Sequence, residues 1–413
     1  VRLLRIVEPV EPLSYDYGFE PLSPPQGIEG GPEVDPNDPP TVVFRSNEGP
    51  DTTSAVGDVL EPALSFGSNP DSGDEIEYGA FVISDPDGLS DIQSVTIAGA
   101  NETQTVAIVS LVGTVISGQY GNLLIEAYDP ETGVAQFKYE LLLKSTDVEG
   151  VEETDQFVVT VSDGDGTSAP ATLTINIVDD VPSLDIEAGE GRLVVIELDE
   201  TIGEDRYKGE ESQDGNGAAD DSVVGIGRVS TTAGALAALF SSTLVTGADG
   251  AASDTQAFSL VLLDGSGAAV TSLATSLSVA DVAGNFANDA ITLVLVGGKV
   301  YGMTNGGTDP LGVDAGEIAF VVELSGATDP AAATLTVTQY LAIEHGSTST
   351  FDENLALTLA SGQLGLKLER TVVDGDGDTA SDAHVVNITG AISFDDDGPS
   401  VTAVGAATLS VAH

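Results

Sequence analysis

Gln156-Phe157-Val158-Val159-Thr160-Val161 and Ala171-Thr172-Leu173-Thr174-Ile175-Asn176-Ile177 flank the turn sequence Ser162-Asp163-Gly164-Asp165-Gly166-Thr167-Ser168. In both outer stretches the large apolar residues recur at every second position. That period places them on one face of an extended strand, so each stretch reads as a half-buried strand of a sandwich, broken by the Asp-Gly-Asp-Gly turn. Ser94-Val95-Thr96-Ile97 and Ala333-Thr334-Leu335-Thr336-Val337-Thr338 repeat the pattern. From about residue 41 onward, short segments rich in Val, Ile, Thr and Leu are punctuated by Gly, Asp, Asn and Pro clusters. Only residues 233–240 look helical, and they are too few to stand without packing support. The expected class is all-β, with sandwich domains in tandem.

An internal repetition divides the chain. The Asp163 turn runs through a strand into Val178-Asp179-Asp180-Val181-Pro182-Ser183. Far downstream, Val372-Val373-Asp374-Gly375-Asp376-Gly377-Asp378-Thr379 runs through a strand expected over 384–394 into Asp395-Asp396-Asp397-Gly398-Pro399-Ser400. A weaker join is Asn37-Asp38-Pro39-Pro40-Thr41. The division is therefore 1–40 as a Pro-rich arm, 41–181 as a first sandwich, 182–399 as a larger β-rich domain, and 400–413 as the first strand of a following domain. That last strand would be comparable to 192–198, which is expected to open the larger domain. The prolines of the arm favour an extended connector. The lesser alternative, from the alternation within residues 1–10, is an edge strand added to a neighbouring domain or subunit.

Composition narrows the chemistry. The 413 residues are enough for two or three domains, and 67 acidic residues against 12 Lys and Arg give a formal net charge of −55. Self-repulsion on that scale opposes compaction unless cations offset it, and the same field repels phosphate backbones and anionic headgroups. Neither nucleic acid nor a membrane surface is an expected partner. With no cysteine there is no disulfide, thiolate zinc site or cysteine nucleophile. No apolar run approaches the roughly 18 residues of a membrane span.

The joins carry the metal chemistry. In Asp163-Gly164-Asp165-Gly166, alternating acids can point oxygens to one side of a tight turn, and glycine admits the positive φ that lets carbonyls take part. Hard oxygen ligands at this spacing suit Ca²⁺. Asp179 and Asp180 follow in a stretch without Lys or Arg, and the next domain opens with Glu197-Leu198-Asp199-Glu200-Thr201. A calcium ion shared among these groups would rigidify the joint. Asp374, Asp376, Asp378 and Asp395, Asp396 and Asp397 offer the same chemistry at the second joint. Asp85-Pro86-Asp87-Gly88 with Asp91, and Asp129-Pro130-Glu131-Thr132-Gly133, are further candidates. A single Asp-Gly or Asp-Pro commonly just makes a turn. Repeated double-acid joints argue for a cation, because like charges packed at a strand end are costly without one.

Catalysis finds little to build on. Three histidines, His345, His384 and His413, and no nucleophile-elbow, zinc-protease or phosphate-loop pattern point away from an enzyme. A paired-carboxylate glycosidase usually has aromatics in its cleft, and this chain has no Trp and 5% aromatic residues. His345 lies in Ile343-Glu344-His345-Gly346 close to Phe351-Asp352-Glu353, so it can face carboxylates, although a strand-end histidine is ordinarily structural.

Thr371-Val372-Val373-Asp374-Gly375-Asp376-Gly377-Asp378-Thr379-Ala380, followed by Ile392-Ser393-Phe394-Asp395-Asp396-Asp397-Gly398-Pro399, resembles the ending of the long β-rich repeat domains of giant RTX adhesins secreted by the bacterial type I system. Val195-Ile196-Glu197-Leu198-Asp199-Glu200-Thr201 resembles their beginning, and segments 258–263, 291–296 and 319–324 their middle. Residues 41–181 resemble cadherin-like or immunoglobulin-like domains through Ser84-Asp85-Pro86-Asp87-Gly88 and Thr160-Val161-Ser162-Asp163-Gly164-Asp165. The resemblance implies tandem immunoglobulin/cadherin-like β-sandwiches in an elongated array after an extended Pro-rich N-terminal segment. It implies calcium at Asp163, Asp165, Asp179, Asp180, Asp199, Asp374, Asp376 and Asp395 to Asp397.

The function so implied is a non-catalytic extender of an extracellular surface adhesin involved in biofilm, whose partners are the neighbouring domains of one long chain. The Gly-Gly-x-Gly-x-Asp nonapeptide array of RTX proteins is absent. Two other readings remain: a subunit of a self-assembling filament, sheath or surface layer that docks copies of itself through the arm, and a carbohydrate- or peptide-binding module using the loops at 297–302 and 303–309.

Overall fold

The computed structural model describes residues 37–46, 49–145, 153–192, 195–200, 226–280, 284–285, 288–346 and 353–396. The Pro-rich arm up to residue 36, Asp397 and the strand expected after Pro399 lie outside them, as does the side chain of Asp199.

The first sandwich contains β1 (Thr41–Phe44), β2 (Ser54–Leu60), β3 (Ile76–Ser84), β4 (Ser94–Ala98), β5 (Thr103–Ala107), β6 (Val115–Ser117), β7 (Gly121–Asp129), β8 (Val134–Leu141), β9 (Glu153–Ser162) and β10 (Ala171–Val178). One sheet has the order β1-β3-β8-β7-β6 and the other β2-β10-β9-β4-β5. The opening strand is thus split between the sheets, and β2 runs parallel to β10 with Leu60 opposite Val178. This is a sandwich of the immunoglobulin/cadherin kind. Phe157, Val159 and Val161 of β9 and Leu173, Ile175 and Ile177 of β10 all point into the core, as their alternation requires. Phe44 meets Phe81 and Phe137 edge-on, with ring centroids 6.1 Å apart in each pair, the arrangement that aromatic quadrupoles favour.

One polar group sits within this core. Asp155 of β9 is 1% exposed. It accepts hydrogen bonds from the backbone N–H groups of Gln119, Tyr120 and Gly121 at 2.7, 3.0 and 3.1 Å, and from the Tyr139 hydroxyl at 2.9 Å. The Tyr139 hydroxyl is pushed well above its ordinary pKa by burial and by the Asp155 charge, so it serves as a donor. Gly118 leaves room for the carboxylate, because a Cβ there would lie 2.2 Å from Asp155 Oδ2.

The second domain contains β11 (Ser183–Ala188), β12 (Ile196–Asp199), β13 (Gly227–Ser230), β14 (Phe240–Val245), β15 (Ala251–Leu263), β16 (Ala269–Val270), β17 (Ser272–Ser278), β18 (Ala290–Val296), β19 (Lys299–Met303), β20 (Ile318–Ser325), β21 (Thr334–Gln339), β22 (Asn354–Ala356), β23 (Gln363–Asp374), β24 (Thr379–Asn387) and β25 (Ile392–Asp395). A six-stranded sheet β13-β21-β20-β19-β18-β17 faces smaller sheets β16-β15-β23-β24, β12-β25-β22 and β11-β14 across one core that runs from Ile186 to Phe394.

Three local expectations change. The helical reading of 233–240 reduces to a turn and the 3-10 helix Ala237–Leu239, whose Leu239 is buried, before β14 takes over at Phe240. The strand expected at 192–198 to open the larger domain is found as β12, which starts only at Ile196, and the domain opens earlier with β11; the strand over 384–394 is interrupted by the 3-10 helix Thr389–Ala391. Gly297 and Gly298, at φ 59° and 79°, form a two-residue hairpin turn in which Val296 pairs with Lys299. Such a turn needs positive φ at both central residues. Among the described residues no helix is long and apolar enough to cross a membrane.

Candidate metal centres at the domain joints

The parallel register of β2 and β10 brings two acids to one end of the first sandwich. Leu60 lies opposite Val178, so Glu61 and Asp179 leave the sheet side by side. From the second domain, the pairing of Ala251 with Asp374 holds the Asp249 turn against the loop 374–378. Ligand atoms of Glu61, Asp179 and Asp249 lie within 4.8 Å of one another, as do those of Asp374, Asp376 and Asp378. The two groups meet where Asp179 shares a hydrogen bond with Asp378.

The junction is close-packed. Gly247, at φ 68°, faces the Asp180 carbonyl so closely that a Cβ would lie 2.0 Å from the oxygen. Lys144 Nζ reaches from the first domain to Asp249 Oδ1 of the second at 2.6 Å. Asp180 is turned away, accepting from Ser68 N at 2.7 Å and Ser68 Oγ at 2.5 Å, and so is committed to the first sandwich.

The electrostatics record the crowding. Burial, the hydrogen bond with Asp378 and the Asp376 charge push Asp179 up to about 8. Burial raises Glu61, against a 2.5 Å hydrogen bond from Ser145 N, and burial and Asp374 raise Asp376. Glu61 Oε2, Asp249 Oδ2, Asp374 Oδ2 and Asp376 Oδ1 are buried without a hydrogen-bond partner. Buried acceptors left unmade are costly, and an all-oxygen set from several carboxylates is what Ca²⁺ takes.

A pH profile follows. Carboxyls raised in the folded state bind protons that the unfolded chain has already lost, so stability falls as pH rises wherever the folded state holds more protons. For metal-stripped protein, melting temperature is expected to decline from about pH 4, where unfolded carboxyls titrate, toward the Asp179 value near 8. Saturating calcium should remove the decline. A flat metal-free profile over that window would contradict the shifts of Asp179, Glu61 and Asp376.

A second cluster lies at the N-terminal end of the first sandwich, where ligand atoms of Asp85, Asp91 and Asp163 fall within 4.8 Å of one another. Asp163 Oδ1 accepts from Asp165 N at 2.8 Å and Gly166 N at 2.6 Å, and its Oδ2 from Asn37 Nδ2 at 2.9 Å. These bonds, led by Gly166 and Asn37, hold Asp163 below the usual carboxylate range. Asp91 is pushed up by partial desolvation and by Asp85, Asp163, Asp87 and Asp165. Asp87 Oδ2 accepts from Asp38 N at 2.9 Å, tying the preceding segment to the site, and Asp85 Oδ2 is buried without a partner.

The grouping expected from sequence is corrected here. Asp163 and Asp165 do not share a joint with Asp179, Asp180 and the Glu197–Glu200 stretch. The eight residues of β10 separate them, about 25 Å at a strand's rise per residue. Each Asp-Gly-Asp loop instead serves the N-terminal end of its own domain, so Asp374, Asp376 and Asp378 are the acids that face Asp179. Asp395 and Asp396 lie elsewhere, at the ends of the parallel strands β12 and β25 beside Glu200. Asp129 is a capped turn, accepting from Glu131 N at 2.9 Å and Thr132 Oγ1 at 2.7 Å, and those bonds lower its pKa. Sequence reading missed Glu61 and Asp249. The acid after β2 in Leu60-Glu61-Pro62 was the available signal for the first.

Fold and clusters together define tandem β-sandwiches with acid-lined joints. Residues 197–388 match the profile of a family described as a domain of unknown function, DUF5801. No curated protein matches the chain. Among solved structures, EC1-4 of Drosophila N-cadherin aligns at 9% identity over 88% of this chain and 50% of that one, with a TM-score of 0.22. Mouse cadherin-23 EC22-24 aligns at 12% identity over 87% and 98%, TM-score 0.22. The C-terminal domain of the Streptococcus agalactiae AgI/II polypeptide BspA aligns at 10% identity over 84% and 100%, TM-score 0.16. The chain spans half the length of the N-cadherin fragment. The fold assignment rests on the strand order and register given above.

Proposed function

We propose that the chain is a non-catalytic structural extender of a large bacterial surface adhesin, secreted by a type I route and acting outside the cell in adhesion and biofilm. In this reading, Ca²⁺ bound between consecutive sandwiches stiffens the array. The observation that carries it is the convergence of Glu61 and Asp179 from one sandwich with Asp249, Asp374, Asp376 and Asp378 from the next, with buried oxygens lacking partners. Lys144 is a single positive charge against six acids there, which leaves the site in need of a cation.

Extracellular calcium modules bind with Kd around 10⁻⁴ to 10⁻³ M, so millimolar calcium contributes roughly 1 to 3 kcal/mol per site. Small-angle scattering with thermal melting, in chelator and in millimolar calcium at several protein concentrations, tests the reading. Greater maximum dimension and higher melting temperature at constant mass are expected. Indifference to calcium would sink it, and mass growing with concentration would favour a self-assembling filament or layer. The binding-module alternative is weakened because Gly297 and Gly298 are spent on a hairpin turn and Lys299 is paired with Glu323.

A further inference from the structure

His345 is the one histidine gathered with acids among the described residues. β12 and β25 run parallel with Asp199 opposite Asp395, so Glu200 and Asp396 emerge together, and Glu200 N donates to the Asp395 carbonyl at 3.3 Å. The segment after β21 crosses this end. Ile343 bridges Val279, and Ile343 N donates to Glu200 Oε1 at 2.6 Å. The Gln339 side chain donates to the same oxygen at 2.6 Å. Those bonds fix the Glu200 carboxylate beside His345, and ligand atoms of Glu200, His345 and Asp396 lie within 4.8 Å of one another.

The imidazole supplies the second observation. Both His345 Nδ1 and Nε2 are shielded from solvent, and neither has a hydrogen-bond partner. A neutral imidazole carries one donor and one acceptor, and leaving such groups buried and unmade is costly. A cation coordinated by one nitrogen satisfies the acceptor of that pair. A nitrogen ligand with two carboxylates is not a calcium set, since Ca²⁺ takes oxygens, whereas zinc-class ions take imidazole and carboxylate together.

We propose that Glu200, His345 and Asp396 form a site for a zinc-class divalent cation, chemically separate from the calcium-type joint, that clamps the ends of β12 and β25 to the segment following β21.

The test is calorimetric titration of the whole chain with Zn²⁺ in millimolar calcium, which occupies oxygen-only sites. One zinc-binding event should persist. His345→Ala should weaken it by about tenfold or more, because even residues outside the coordination shell are worth that much, while Asp376→Asn should leave it intact. Zinc binding unchanged in His345→Ala, or abolished by calcium alone, overturns the proposal. If His345→Ala fails to fold, nitrogen NMR of the unaltered protein decides. Zinc should shift the His345 ring-nitrogen signals, and ring signals unchanged by zinc mean an isolated histidine and overturn the proposal.

Discussion

Replacing Asp179 and Asp376 together by asparagine is expected to abolish the calcium response of the joint while raising melting temperature in chelator. Both carboxyls are pushed up by burial and by neighbouring acids, so in metal-free protein near neutral pH each must carry a disfavoured charge or take up a proton, and either opposes folding. Asparagine removes charge yet keeps an oxygen, so Asp179 can still accept from Asp180 N, now at 2.7 Å. In calcium the same change removes ligands. Wild-type protein should gain roughly 1 to 3 kcal/mol per bound ion at millimolar calcium, or about 2–4 °C per kcal/mol for a domain of this size, and the variant should gain little of it.

The order of stabilities therefore inverts, with the variant above wild type in chelator and below it in calcium. A merely structural role for these acids predicts loss in both conditions, so the inversion is diagnostic. Differential scanning calorimetry with and without calcium reads it directly. A variant that keeps the full calcium gain would place the ion elsewhere.

What could be read beforehand was whatever depends on neighbours along the chain. Phe157, Val159 and Val161 declared their face because strand geometry has a period of two, and the Asp-Gly-Asp turns declared their chemistry because their ligands lie within a few residues of each other. Partnership across the joint could not be read that way. Asp163 and Asp179 are close in sequence, but a strand carries the chain from one end of the sandwich to the other between them. That argument was available from the length of 171–178 alone. Glu61 reaches Asp179 only through the parallel register of β2 and β10, and Asp249 reaches the 374–378 loop only through the pairing of β15 with β23. Both contacts join segments more than a hundred residues apart in sequence, beyond what local pattern encodes. His345 was weighed as an ordinary strand-end residue because Glu200 and Asp396 are brought to it by another such long-range parallel pair.

Asp155→Ala is expected to be the most damaging single substitution in the first sandwich. Four donors lose their acceptor at once: the N–H groups of Gln119, Tyr120 and Gly121 and the Tyr139 hydroxyl. Each buried donor left unmade costs about 1–3 kcal/mol, and partial relaxation keeps the sum below full additivity. A net loss of about 3–5 kcal/mol lowers the melting temperature of a domain of this size by roughly 10–20 °C. Tyr139→Phe deletes only one donor and leaves the three backbone bonds, so about 1 kcal/mol is expected. Because the hydrophobic core of the second domain is a separate cluster, its transition should stay in place in calorimetry while that of the first sandwich moves down. If Asp155→Ala melts within a degree or two of the unaltered chain, these hydrogen bonds do not hold the 118–121 turn. The consequence reaches the joint through the strands: Asp155 lies opposite Ile175 on β10, and the same strand ends at Val178, next to Asp179. A loosened β9–β10 pair should therefore also weaken calcium binding between the sandwiches, with no ligand changed.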